Sequence, residues 1–117
     1  MGNFRKLVVW QHAHRLSLSV YRATVSFPRA EVYGLTSQMR RASVSIGANI
    51  AEGCGRNGDR ELVRYARIAL GSANELEYHV ILAGDLEYLP RLASDQLQQD
   101  IAVVKRMLAK LVARLDR

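Results

Sequence analysis

An all-α fold, an antiparallel up-down-up-down four-helix bundle, is predicted by three features of this 117-residue chain. Apolar residues recur at spacings of three and four in every long segment, and no run alternates strictly between apolar and polar. The breaks are few and short, marked by Pro28, Gly58 and Pro90, which favours helices that double back on their neighbours. With no linker tract and no repeat of fixed period, residues 1–117 read as one domain of ordinary size.

The first helix, about Leu7 to Ser26, sets Val9, Ala13, Leu16, Val20, Ala23 and Phe27 on one stripe. Gln11, Arg15, Ser19, Arg22 and Ser26 lie on another. Pro28 ends it, because the residue before a proline is pushed out of helical conformation. The second helix, about Thr36 to Gly53, stacks Leu35, Met39, Ala42, Ile46 and Ile50, with Gln38, Arg41, Ser45, Asn49 and Glu52 beside them. Ala42 to Ala51 carry no charge, and Val44, Ala48 and Ala51 make the remaining side apolar as well. A helix of that kind in so short a chain is expected to be covered by neighbouring copies, so a homo-oligomer is predicted. Glycines 53, 55 and 58 are expected to close it in left-handed conformation.

The third helix should run from Asp59, a suitable N-cap, to Leu86. Its seam of Leu62, Ala66, Ala69, Ala73, Leu76, Val80 and Ala83 resembles that of a coiled coil and lets helices approach closely. The fourth begins between Pro90 and Ser94 and repeats the rhythm with Leu97, Ile101, Val104, Leu108, Leu111 and Leu115.

The net charge of +6 is unevenly placed. Residues 1–67 hold 11 Lys/Arg against 4 Asp/Glu, a balance of +7, whereas residues 68–117 hold 6 against 7, a balance of −1. Fourteen of the 17 cations are arginine, whose planar fork matches phosphate and carboxylate, so RNA or DNA is a candidate partner. One cysteine, Cys54, permits no internal disulfide. No apolar run or leader points to a membrane or to export, and a cytoplasmic location is expected.

Two motifs point to other chemistry and are outweighed. Gly53-Cys54-Gly55-Arg56-Asn57-Gly58 matches G-x-G-x-x-G, but a dinucleotide site needs a strand before the glycines and here a helix precedes them. Glu75 and His79 lie four apart on one helical face, yet a di-metal bundle needs Glu-x-x-His on two helices plus further glutamates. His12 and His14 diverge, and Cys54 has no recognisable base, so no catalytic residue, metal or cofactor is predicted.

The basic segment gives the candidate site. Arg60, Arg64 and Arg67 share one face of the third helix, and Arg56 precedes them in the turn. Like charges four apart cost about 0.2–0.5 kcal/mol, and cations near a helix N-terminus oppose its dipole, so local energetics does not explain them. Phosphate would, and Arg15 and Arg22 could extend the surface; so would salt bridges to Glu31, Asp59 or carboxylates of another subunit. Arg106, Lys110, Arg114 and Arg117 need no partner, since late cations complement the dipole. Arg41, Asn49, Glu52, Glu75 and Glu77 form a second group, read as a structural polar network fixing helix register.

A resemblance adds to this. Arg40-Arg41-Ala42, Ser45-Ile46, Asn49-Ile50-Ala51-Glu52-Gly53, Gly55-Arg56, Ile68-Ala69, Gly71-Ser72 and Glu75-Leu76-Glu77 resemble the signature of the bacterial four-helix-bundle proteins encoded in intervening sequences of large-subunit ribosomal RNA genes. Gly47 departs from it, standing where proline is frequent, as does Tyr65-Ala66 in place of a Phe-Leu pair. The resemblance implies a homo-oligomer, most often a pentamer, with no established enzymatic activity; more distant relatives are nucleic-acid-binding accessory proteins of diversity-generating retroelements. The expected function is a non-enzymatic nucleic-acid-binding or ribonucleoprotein accessory module, the alternative a protein-protein interaction scaffold.

Overall fold

In the computed structural model, which describes residues 2–116, four helices follow one another: α1 (Val8–Thr24), α2 (Leu35–Gly55), α3 (Asp59–Asp85) and α4 (Arg91–Leu115). Single 3-10 turns at Phe4–Lys6 and Arg29–Glu31 precede α1 and α2, and no strand occurs among the described residues. Each helix packs against its sequence neighbour, α4 closes the ring against α1, and α1 and α3 face each other diagonally across the core. Side-chain pairings run antiparallel throughout: Ser17 Oγ donates to the Ser43 carbonyl, Ser45 meets Ser72, and Lys105 donates to Glu77. At about 1.5 Å per residue the 27 residues of α3 span about 40 Å, close to the 43 Å long axis of the molecule.

The core is the predicted set of stripes. Leu16, Val20, Met39, Ile46, Ile50, Leu76, Val80, Ile101, Val104 and Leu108 are fully buried, and Ala66, Ala69, Ala73 and Ala83 lie along the α3 seam with no exposure. In α1 the stripe passes through buried Thr24, leaving Ala23 half-buried, because steps of four from Leu16 through Val20 reach residue 24. The Thr24 hydroxyl donates to the Val20 carbonyl at 2.8 Å, which makes its burial tolerable.

The glycine assignments need correcting. Gly58 alone among the glycines has positive φ, at 86°, and it occupies the cap position before α3, so Asp59 is the first helical residue and makes no side-chain cap bond. Gly53 and Gly55 are still helical. What Gly53 supplies is proximity: a Cβ there would stand 2.9 Å from the Tyr65 Cβ, so α2 and α3 could not approach as they do. α3 closes differently, with Glu87 in the left-handed region at φ 62°. The Tyr88 amide bonds the Ala83 carbonyl and the Glu87 amide the Gly84 carbonyl, a Schellman closure without glycine at its usual place.

At that end Glu31 joins three segments. One of its oxygens accepts the Leu35 amide at 3.0 Å, capping α2, and the other accepts the Tyr88 hydroxyl at 2.9 Å from the α3–α4 turn. This bond to a carboxylate raises the Tyr88 phenol above its ordinary value. Buried Phe27 packs on the Tyr88 ring at 5.5 Å, completing the closure.

The outer side of α2 is open within the single chain. Val44 is 46% exposed, Ala48 is exposed and Ala51 half-buried. With Trp10, His14, Leu18 and Tyr21 of α1 these residues line an apolar groove of about 480 Å³.

Candidate nucleic-acid interface

The α2–α3 turn and the first turns of α3 place Arg56, Arg60, Arg64 and Arg67 at one end of the bundle, all exposed. Arg56 follows the last residue of α2 and pairs with Glu52 at 3.1 Å. Arg64 pairs with Glu61 at 3.0 Å, and Arg67 with Asp116 just past α4. These partners differ from the anticipated Glu31 and Asp59: Glu31 sits at the opposite end, and Asp59 forms no ion pair among the described residues. Arg60 has no carboxylate partner among them either. The Tyr65 ring lies between two of these cations, with the Arg64 guanidinium 4.5 Å and the Arg56 guanidinium 5.5 Å from its centroid. That contact holds both guanidiniums against a half-buried ring and keeps them together.

Hydrogen bonding to Arg64 holds the Glu61 carboxyl below its ordinary range, so the pair stays ionised. Both partners are solvent-accessible, and exposed ion pairs of this kind contribute little to stability. An incoming anion can therefore exchange with them at little cost. Between the start of α3 and the end of α4 lies a cleft of about 530 Å³, lined by Arg60, Arg64, Arg67, Glu61 and Asp116 over Val63 and Leu115.

Arg15 and Arg22 are exposed on α1, the helix diagonal to α3, so one chain does not bring them to this surface. Arg22 lies near the far end of α1, about 20 Å along the axis from its start at about 1.5 Å per residue. Sequence periodicity could place each arginine on a helix face, but not the helices around the bundle. Arg106, Lys110 and Arg114 lie on α4 and form no ion pair among the described residues, and Arg117 falls outside those residues.

The predicted polar network is divided. Ser45 holds the centre of the α2–α3 groove, bonded to Ser72 at 2.8 Å and receiving the Asn49 amide at 3.0 Å. Arg41 and Glu75 line the same groove, while Glu52 turns to Arg56. Glu77 faces the other way and accepts from Lys105 of α4 at 2.8 Å. Its separation follows from helix geometry, since residues two apart point to different sides. Ser72 is the member that the sequence reading missed; Ser45 stands in the polar stripe of the second helix, but spacing within one helix does not show a partner 27 residues away.

Glu75 and His79 form the anticipated i,i+4 pair, 3.5 Å apart. His79 is buried, its Nδ1 has no hydrogen-bond partner, and burial pushes the imidazole below its ordinary value against the opposing effect of Glu75. Among the described residues no group of three or more His, Cys, Asp or Glu side chains converges as a metal site. Cys54 is buried and its thiol is pushed up by that burial, which disfavours the nucleophilic thiolate. No helix among the described residues is long and apolar enough to cross a membrane.

The architecture defines an all-α antiparallel bundle with a basic end and an apolar outer groove. Within that class the chain belongs to the 23S rRNA-intervening sequence protein family, whose model matches residues 5–110. Among solved structures it is similar to a protein of unknown function from the S23 ribosomal protein family of Bacteroides thetaiotaomicron, with 25% identity and a TM-score of 0.81 over 90% of this chain and 98% of that one. No curated protein matches the chain.

Proposed function

We propose that the protein is a non-enzymatic, homo-oligomeric bundle serving as a cytoplasmic nucleic-acid-binding or ribonucleoprotein accessory module. The gathering of Arg56, Arg60, Arg64 and Arg67 at one end, with Arg60 in the first turn of α3 where the helix dipole disfavours a cation, is the observation that carries this reading. Phosphates are its targets, so binding is independent of base sequence. Copies associate through the apolar groove of α1 and α2, and the family resemblance implies that they do so as a pentamer. A ring multiplies weak contacts by avidity, and exposed Arg15 and Arg22 of α1 would add to its positive surface away from the basic end.

The test measures RNA and DNA binding together with solution mass. Affinity should fall at least about tenfold between roughly 50 and 200 mM salt, and R60E/R64E should abolish binding while leaving the mass unchanged. The second reading, a scaffold for protein partners, is favoured by the three ion pairs that already occupy Arg56, Arg64 and Arg67. Absence of binding at low salt would select it.

A further inference from the structure

We infer that the cleft between the start of α3 and the end of α4 is the seat of a phosphate group of the bound polynucleotide, occupied in the free protein by the carboxylate of Asp116 as an internal competitor. The inference rests on the nucleic-acid reading above. Arg60, Arg64 and Arg67 converge on this cleft of about 530 Å³. Arg64 engages Glu61 through Nε and one Nη, and Arg67 engages Asp116 through a single Nη. A guanidinium carries five N–H donors, so both retain several for a further anion, and Arg60 has no carboxylate partner among the described residues.

The two acidic residues of the cleft have different reasons to be there. Glu61 lies in the first turn of α3, where a negative charge complements the helix dipole whether or not Arg64 is present. Asp116 follows the last turn of α4, where a negative charge meets the negative pole. What favours Asp116 in that place is Arg67. With the two side chains 57% and 53% exposed, the pair is weak and readily exchanged. A phosphate oxygen can take the position of the Asp116 oxygen on Arg67 while Arg60 and Arg64 approach its other oxygens. Val63 and Leu115 beneath them supply an apolar floor for the adjoining sugar or base.

The experiment follows fluorescence anisotropy of a labelled single-stranded RNA of about 20 nucleotides with the full chain, D116N and D95N. Asp95 is exposed near the start of α4, at the other end of the bundle, so D95N makes the same change in net charge far from the cleft. D116N should bind about two- to fivefold more tightly with the same log-log salt slope, since the seated phosphate makes the same contacts in both proteins. D95N should change affinity by less than about 1.5-fold, because charges beyond a Debye length are screened. In an R67Q background the D116N effect should vanish. Equal tightening by D95N and D116N, or tightening that survives R67Q, would overturn the inference while leaving the proposed function standing. If neither the wild-type chain nor D116N binds RNA at low salt, the nucleic-acid reading fails, and this seat with it.

Discussion

The bundle closes its two ends by different physics. Where α1 meets α2 and α3 meets α4, Glu31 caps Leu35 and holds Tyr88, Phe27 is buried against the Tyr88 ring, and Thr24 accepts the Arg40 side chain at 2.9 Å. The Arg40 guanidinium then lies 4.6 Å from the centre of the Tyr21 ring, so this cation is fixed by the fold itself. Where α2 meets α3, a glycine turn carries arginines whose ion pairs are exposed, and Arg60 stands near the positive pole of its helix. At the first end Arg40 is fixed by the fold; at the second Arg60 has no carboxylate partner among the described residues and Arg56, Arg64 and Arg67 are held only by exposed pairs. That loosely held charge, rather than the total of +6, is what points to a polyanion.

Substitutions can break this contrast. Glu31→Ala removes the cap of α2 and the acceptor of Tyr88 together, and should cost about 2–3 kcal/mol in urea unfolding, since bonds to charged groups are the stronger kind. A loss below about 0.5 kcal/mol would mean the Glu31 end is no better fastened than the other. Arg60→Glu should act in the opposite sense, raising stability by about 0.3–1 kcal/mol by relieving the dipole and the like charges four residues away, while weakening nucleic-acid binding. A stability gain without a binding loss would remove Arg60 from the interface.

The smallest expected effect is that of pH. His79 protonates less readily in the folded chain than its ordinary value of 6.5, because burial outweighs the neighbouring Glu75. The unfolded chain therefore takes up the proton first, so this contribution is complete above about pH 6.5 and is lost as pH falls through the lower folded value. Urea midpoints should drop between about pH 7.5 and 5.5, and His79→Gln should reduce that drop. Parallel pH profiles for the two proteins would exclude His79 as the source.

Much of the fold was legible because apolar spacing reports helix faces directly. Met39, Ile46 and Ile50 of α2, and Ile101, Val104 and Leu108 of α4, are core positions in the structure as the three-and-four rhythm requires. Helix ends were less legible. Asp59 has the chemistry of an N-cap, but the preceding Gly58 reaches a positive φ that an aspartate would adopt only at a cost, and the cap moved back one residue. The glycine at 53 resembled a terminator because its actual constraint, contact with Tyr65, is tertiary.

The candidate site was legible in part for the same reason. Arg60, Arg64 and Arg67 share a helix, so periodicity alone could group them. Arg15 and Arg22 were added by charge, and only the order of helices around the bundle shows them on the diagonal. Asp116 was invisible as a partner of Arg67, since 49 residues separate them along the chain.

Trp10 is the single tryptophan, and it sits in the groove between α1 and α2, half-buried, with the His14 ring parallel to its own at 5.1 Å. The molecule thus carries an intrinsic optical reporter on the face where copies are proposed to meet. Association there would exclude water from the indole and shift its emission to the blue as concentration rises, whereas a ligand confined to the arginine end would leave that signal unmoved.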